Sequence, residues 1–301
     1  MAPSLPPDFG FSQGSLQDYV DCPRRFWLRY LRRLAWPAIQ AEPVADAEMQ
    51  MLRGEWYHRL VQQHGLGISA TRLERAAAAI DEMLETGIAS AANAGDDAAQ
   101  GGNLVTWWRN YLASPPPDLP TGGPRELTLA TTVAGRRLTA KYDLVAADPG
   151  RRAVIVDWKT GRLRSARPRL AARLQTRVYR YVLVEAGGDL NEGLRWRPEQ
   201  VSMVYWFANT PDKPEIFPYD TAQYRADGRY LAGLVGEIVA RPAEEPFAMT
   251  GETARCAYCV YRSLCDRGRE AGDLMEVETL DPGTSSLGED FDFGQIAEIE
   301  F

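Results

Sequence analysis

Three side chains in one short stretch have the types and spacing for phosphodiester chemistry. In LTAKYDLVAADPGRRAVIVDWKTG, residues 138–161, Asp143 is followed after a turn by Asp157 and, two residues on, by Lys159. Two carboxylates brought together in a partly buried site raise each other's pKa unless a cation neutralises them, and hard oxygen ligands suit Mg²⁺ or Mn²⁺. A lysine beside such a cation orients or deprotonates an attacking water, while the cation stabilises charge developing on a phosphodiester oxygen. The competing reading is a solvated hairpin whose charges pair at the surface; the apolar run Ala153 to Val156 beside Asp157 argues against it.

The elements that must position these groups are legible around them. The two arms of the stretch are rich in β-branched, aromatic and aliphatic residues, and Asp148-Pro149-Gly150 between them is turn chemistry, which predicts a β-hairpin. A turn centred on Pro149 and Gly150 sets Asp143 opposite Val156 or Asp157. Strand period 2 then puts Asp157 and Lys159 on one face and Trp158 on the other. Pro168 precedes a helix expected over Leu170 to Glu185, in which Gln175 and Tyr179 share a face and Leu174, Val178, Val182 and Leu183 form the buried stripe.

Upstream, Ser15-Leu-Gln-Asp18 reads as a capping box opening a helix, and Arg24 to Arg33 carries apolar residues at helical spacing among five arginines. Two readings stand for those arginines, a nucleic-acid-facing element or the solvated face of an amphipathic core helix. Residues 46–64 are helical and contain Gly54 and His58; a lone His is a structural residue or a ligand, and His64 is read as structural. A helix from Ser69 to about Ser90, a polar loop from Ala92 to Gly102, and an aromatic helix with Trp107, Trp108 and Tyr111 make 65–122 a helical insertion ahead of the sheet. Strands are expected at Glu126 to Val133, Val201 to Phe207 and Ile216 to Tyr219, with a turn at Ala134-Gly135 and a last helix from Thr221 to Ala240. This order suits an α/β core with a mixed, largely antiparallel central sheet flanked by helices.

At 301 residues and 45% hydrophobic content the chain can bury a full core. No apolar stretch approaches the length of a membrane span, and MAPSLPPDFG has neither a basic nor an apolar leader region, so a soluble, cytoplasmic protein with no membrane partner is expected. The net charge of -7 is uneven: ten acidic residues and no Lys or Arg lie in 270–301, so of 34 basic and 41 acidic residues, 1–269 keep 34 and 41 - 10 = 31, or +3. The body can present basic faces, while the tail reads as a disordered solubilising segment, a strand-like peptide for a partner, or a mimic of DNA lying in the basic groove.

The four cysteines form a second constellation, Cys22 alone and then Cys256, Cys259 and Cys265 spaced Cys-x2-Cys-x5-Cys. Clustered thiolates in a cytoplasmic chain suggest a tetrahedral Zn²⁺ or an iron-sulfur cluster. Either would close the termini like a clasp around everything between them.

Asp143, Asp157, Trp158 and Lys159 resemble the signature of the PD-(D/E)XK nucleases, in the RecB-like branch whose pattern is an Asp, a turn, then Asp-x-Lys. Where that family usually has Gly three residues before the first Asp, this chain has Ala140. Gly54 with His58 resembles the family's Gly-x-x-x-His helix, which supplies an imidazole to the metal, and Gln175 with Tyr179 resembles its Gln-x-x-x-Tyr motif beside the active site. A Glu often occurs near the place of Glu126, which from the sequence alone reads better as a surface carboxylate. Cys22-Pro23-Arg-Arg-Phe26 and the trio Cys256, Cys259 and Cys265 resemble the ligands of a [4Fe-4S] cluster in RecB-like and CRISPR-associated nucleases, with Zn²⁺ as the alternative.

The resemblance spans roughly 12–266, with 65–122 unmatched, and implies a restriction-endonuclease-like fold with an Fe-S clasp. It implies a helical region over 1–122, a nuclease core over 123–240, a Cys-cluster region over 241–269 and the acidic tail. It implies a Mg²⁺- or Mn²⁺-dependent DNA exonuclease acting on single-stranded or frayed ends, beside a helicase or CRISPR integrase. Metal falls to Asp143, Asp157 and His58, and chemistry to these carboxylates with Lys159, Gln175 and Tyr179. Three other readings compete: a non-catalytic scaffold of the same fold, an RNA-directed nuclease, and a zinc-stapled regulatory protein.

Overall fold

The computed structural model describes residues 5–34, 44–89, 102–121, 123–161, 166–242, 245–256 and 259–268, with the backbone alone described at 44–51 and 87–89. The acidic tail and most of the polar loop expected at Ala92 to Gly102 lie outside the described residues. Among the described residues there are six strands: β1 (Phe11–Ser12), β2 (Arg125–Val133), β3 (Arg136–Asp148), β4 (Arg152–Lys159), β5 (Val201–Phe207) and β6 (Glu215–Pro218). The helices are α1 (Gln13–Asp21), α2 (Pro23–Phe26), α3 (Val44–Gly65), α4 (Ala70–Ala89), α5 (Leu104–Ala113), α6 (Arg167–Ala172), α7 (Leu174–Ala186) and α8 (Thr221–Ala240).

The strands make one mixed sheet in the order β1-β3-β4-β5-β6, with β2 also on β3. The β2–β3, β3–β4 and β5–β6 pairs are antiparallel, and β1–β3 and β4–β5 are parallel. At the β3–β4 turn Gly150 has φ 77°, a conformation that a residue without Cβ adopts freely.

Alternation along the central strands divides their side chains between two helical layers. Ala153 and Ile155 on β4, with Val201, Met203 and Tyr205 on β5, share a core with α1, α7 and α8. Val154, Val156, Trp158, Val204 and Trp206 face α3, α4 and α5. A large side chain fully buried this way contributes about 1.5–3 kcal/mol, and Trp107, Trp108 and Trp206 are all fully buried in the second layer. The segment expected as an insertion therefore builds one of the two layers that sandwich the sheet. Its attachment is polar as well: Asp81 accepts from the amides of Leu104 and Val105 at 3.1 Å each, satisfying donors at the start of α5.

Three local expectations are corrected. Ser12 caps α1 and Ser15 is its N3 partner, each side chain bonded to the other's amide, so the capping box opens three residues earlier than Ser15. The helix expected over Leu170 to Glu185 is broken at Arg173, whose ψ of 140° is extended; the Leu170 carbonyl accepts from the Arg173 amide and from the Thr176 hydroxyl. Arg24 to Arg33 is not one regular helix, because α2 passes into a π-helical turn over Trp27–Leu31. Within it Arg25 is committed internally, paired with Asp18 and Asp21 at 2.8 Å each. Among the described residues no helix is long and apolar enough to cross a membrane.

Candidate active site

The site forms where β3 and β4 part. Their ladder runs from Asp148↔Arg152 to Leu144↔Val156 and stops. Extending that register would pair Asp143 with Asp157, as the turn chemistry predicted. Instead the Trp158 amide donates to Asp143 Oδ2 at 2.9 Å, so a side chain takes the place of the ladder's next backbone acceptor. Strand alternation slips at the same point: Ala140, Tyr142 and Val145 face the α7 layer while Leu144 faces the α3 layer, one more residue between Tyr142 and Val145 than period 2 allows. Farther down, the same edge of β3 is taken by β1 at Phe11↔Leu138. The carboxylate of Asp143 thus sits in the gap between β1 and β4.

Two elements bring further ligand types to Asp143. His58, on α3, places Nδ1 3.2 Å from Asp143 Oδ1. Gly54, one turn earlier, lets α3 approach the end of β4: a Cβ there would lie 2.9 Å from Thr160 Oγ1. Glu126 on β2 completes a group in which one ligand atom each of His58, Glu126 and Asp143 lies within 4.8 Å of the others. The β2–β3 ladder is paired on both sides of Glu126, at Arg125↔Leu144 and Leu127↔Tyr142, but not at Glu126, whose φ is 54°. Strain of this kind in a non-glycine residue persists only where the surroundings impose it, and it is concentrated at functional sites. The signal for Glu126 was in the sequence: counting back from the turn at Ala134-Gly135 sets it opposite Asp143.

On the far side of Trp158, Asp157 and Lys159 are buried at 5% and 7% exposure, against the start of α7. Lys159 Nζ lies 3.1 Å from Asp157 Oδ2 and donates to Gln175 Oε1 at 3.2 Å, while Gln175 Nε2 donates to Asp157 Oδ1 at 2.6 Å. One amide therefore fixes both charged groups. The Tyr205 hydroxyl donates to the same Oε1 at 3.4 Å and lies 2.8 Å from Thr176 Oγ1. Tyr179, one turn after Gln175, packs its ring 5.0 Å from that of Tyr142 and accepts the Tyr142 hydroxyl on its backbone carbonyl. Its placement in the core gives it a packing role; the phosphate or lysine contact expected of it stays an inference from the motif.

Burial and the neighbouring Asp143 push the Asp157 carboxyl up to about 6, against the opposing pull of Lys159. Burial alone would lower His58, but the charge and hydrogen bond of Asp143, with the charges of Asp157 and Glu126, raise it to about 9. Asp143 stays below the usual carboxylate range despite burial, held there by His58, the Trp158 amide and Lys159. The site thus has a strongly negative potential that retains protons. Its donors are carboxylate oxygens and one imidazole, a set that fits Mg²⁺ or Mn²⁺. Asp157 Oδ2, buried and met by the Lys159 ammonium at 3.1 Å, keeps a further lone pair to offer.

Cys22, from the N-terminal part of the chain, and Cys256, Cys259 and Cys265, from the C-terminal part, are all free. Burial raises Cys256, Cys259 and Cys265, carrying Cys259 up to about 11, and the nearby Cys22 adds to each. Direct bonds join the same two ends of the chain: the Arg24 amide and Nε donate to the carbonyls of Ala248 and Phe247 at 3.0 and 2.6 Å, and Arg255 pairs with Asp21.

The sequence profile described as the PD-(D/E)XK nuclease superfamily matches residues 10–266. No curated protein matches the chain. Among solved structures, one titled "putative exonuclease", from Eubacterium rectale, is similar at 12% identity and a TM-score of 0.41, covering 76% of this chain and 80% of its own. Another, SSO0001, is similar at 13% identity and a TM-score of 0.31, covering 71% of this chain and 96% of its own.

Proposed function

The chain belongs to the PD-(D/E)XK nuclease superfamily, and from that premise we propose that it is a metal-dependent DNA exonuclease of the RecB-like type, acting on single-stranded or frayed ends. The observation that carries this reading is the meeting of His58, Glu126 and Asp143 at the gap beside the buried Asp157–Lys159–Gln175 contact. Asp143, Asp157 and His58, with Glu126, would hold Mg²⁺ or Mn²⁺, which when bound supplies Lewis-acid stabilisation of charge on the phosphodiester. Lys159 orients the attacking water and donates toward developing negative charge. Gln175 braces the ion pair of Lys159 with Asp157, donating to the carboxylate and accepting from the ammonium. Tyr179 packs behind this contact.

We assign Cys22, Cys256, Cys259 and Cys265 to a structural [4Fe-4S] cluster. What supports a shared metal group is that Cys22, remote in sequence, lies near enough to act on each of Cys256, Cys259 and Cys265; Zn²⁺ on the same four ligands is the alternative. The role would lie in DNA processing beside a helicase or CRISPR integrase, in the cytoplasm. The exonuclease reading is tested on three labelled substrates with Mn²⁺: linear single-stranded DNA, its circular form and blunt duplex. Degradation of the linear strand with the circle spared is expected; equal loss of the circle would make the enzyme an endonuclease.

A further inference from the structure

We propose that Lys141 is a built-in counter-cation that holds the Glu126 carboxylate until a divalent cation takes it. The inference rests on the metal-dependent reading above. Lys141 Nζ lies 3.0 Å from Glu126 Oε2, and Glu126 is one of the three residues, with His58 and Asp143, whose ligand atoms gather at the site. Lys141 stands two residues before Asp143 on β3, so the pleat sets both on one face, diagonal to Glu126 on β2. The Glu126 and Asp143 carboxylates repel; His58 offsets part of that repulsion from α3, and a second positive partner is needed on the sheet to hold the Glu126 side chain, whose backbone is left-handed. The ammonium supplies that partner at a site where its own side chain remains 45% exposed, against 26% for Glu126. A lysine so placed can swing its head into water when the carboxylate turns to a metal. It acts through Glu126, which makes it a positioning residue.

The arrangement has a signed consequence. Lys141 and the metal compete for the same lone pairs, so removing the lysine must tighten metal binding, and only if Glu126 is present to be released. Mn²⁺ binding to the full chain, followed by calorimetry or by the resonance of free Mn²⁺, tests this. An exposed pair is worth up to about 1 kcal/mol, which converts to about two- to fivefold tighter binding in Lys141→Met. Lys141→Arg should restore wild-type affinity. In the Glu126→Gln background the gain from Lys141→Met should vanish. Unchanged or weaker binding in Lys141→Met, or a gain that persists without the Glu126 carboxylate, overturns the inference while leaving the metal site intact. Absence of Mn²⁺ binding by the wild type overturns the metal reading itself.

Discussion

Replacing Gln175 by leucine deletes one amide from the contact that fixes both buried charges and leaves the side-chain volume nearly unchanged. Asp157 loses the Nε2 donor at 2.6 Å, and Lys159 loses the acceptor at 3.2 Å. A hydrogen bond to a charged group contributes about 1.5–3 kcal/mol, and 1.36 kcal/mol is one pKa unit. Asp157, already pushed up to about 6 by burial, should therefore rise by about one to two further units. Because the carboxylate must be ionised to hold a cation, the acid limb of kcat/KM moves to higher pH by about one unit or more. On the alkaline plateau, where Asp157 is ionised in both proteins, the loss is confined to the misplaced Lys159 and should be about tenfold. The assay is cleavage of labelled single-stranded DNA at a fixed, sub-saturating Mn²⁺ concentration, where protons and metal compete for Asp157, across the pH range that spans its titration. A profile lowered uniformly with its acid limb in place would refute the view that Gln175 acts on the Asp157 charge.

Other outcomes follow from the same geometry. His58 is raised from its ordinary value of 6.5 to about 9 by Asp143, so its stabilising contribution is complete below about 6.5 and is lost as pH rises through about 9. The melting temperature of protein held in EDTA should fall across that window, and His58→Gln should flatten the fall; an unchanged slope in the variant would contradict the ion pair. Protein purified without oxygen should be brown, with a broad band near about 400 nm and about four irons per chain. Cys22→Ala and Cys259→Ala should lose that iron equally, and a colourless folded protein with one zinc would rule the cluster out.

Much of the site was legible because hairpin chemistry is local. Asp148-Pro149-Gly150 fixes a short turn, and counting outward from it brings Asp143 and Asp157 into apposition without any tertiary information. What could not be read was where the ladder would stop. Nothing in Tyr142-Asp-Leu-Val145 marks the slip in alternation, which arises because the Asp143 side chain, rather than a backbone carbonyl, accepts from the Trp158 amide. Glu126 was underrated for a related reason: at the start of a strand a glutamate defaults to solvent, and only a left-handed φ turns it inward. The break at Arg173 was hidden by helical periodicity that continues through it from Leu170 to Leu183. It matters for function, since it starts α7 at Leu174 and so puts Gln175 in the first turn, against Asp157 and Lys159. The two-layer role of α4 and α5 was also illegible, because an amphipathic helix declares that it packs but not against what.

The most direct test of the central claim compares wild type and Asp157→Ala on labelled single-stranded DNA with Mn²⁺, after circular dichroism shows that both are folded. Asp157 carries a buried charge that anchors Lys159 and offers an oxygen to the metal, and the account predicts loss of cleavage by at least about a thousandfold. Equal turnover by the two proteins would contradict it.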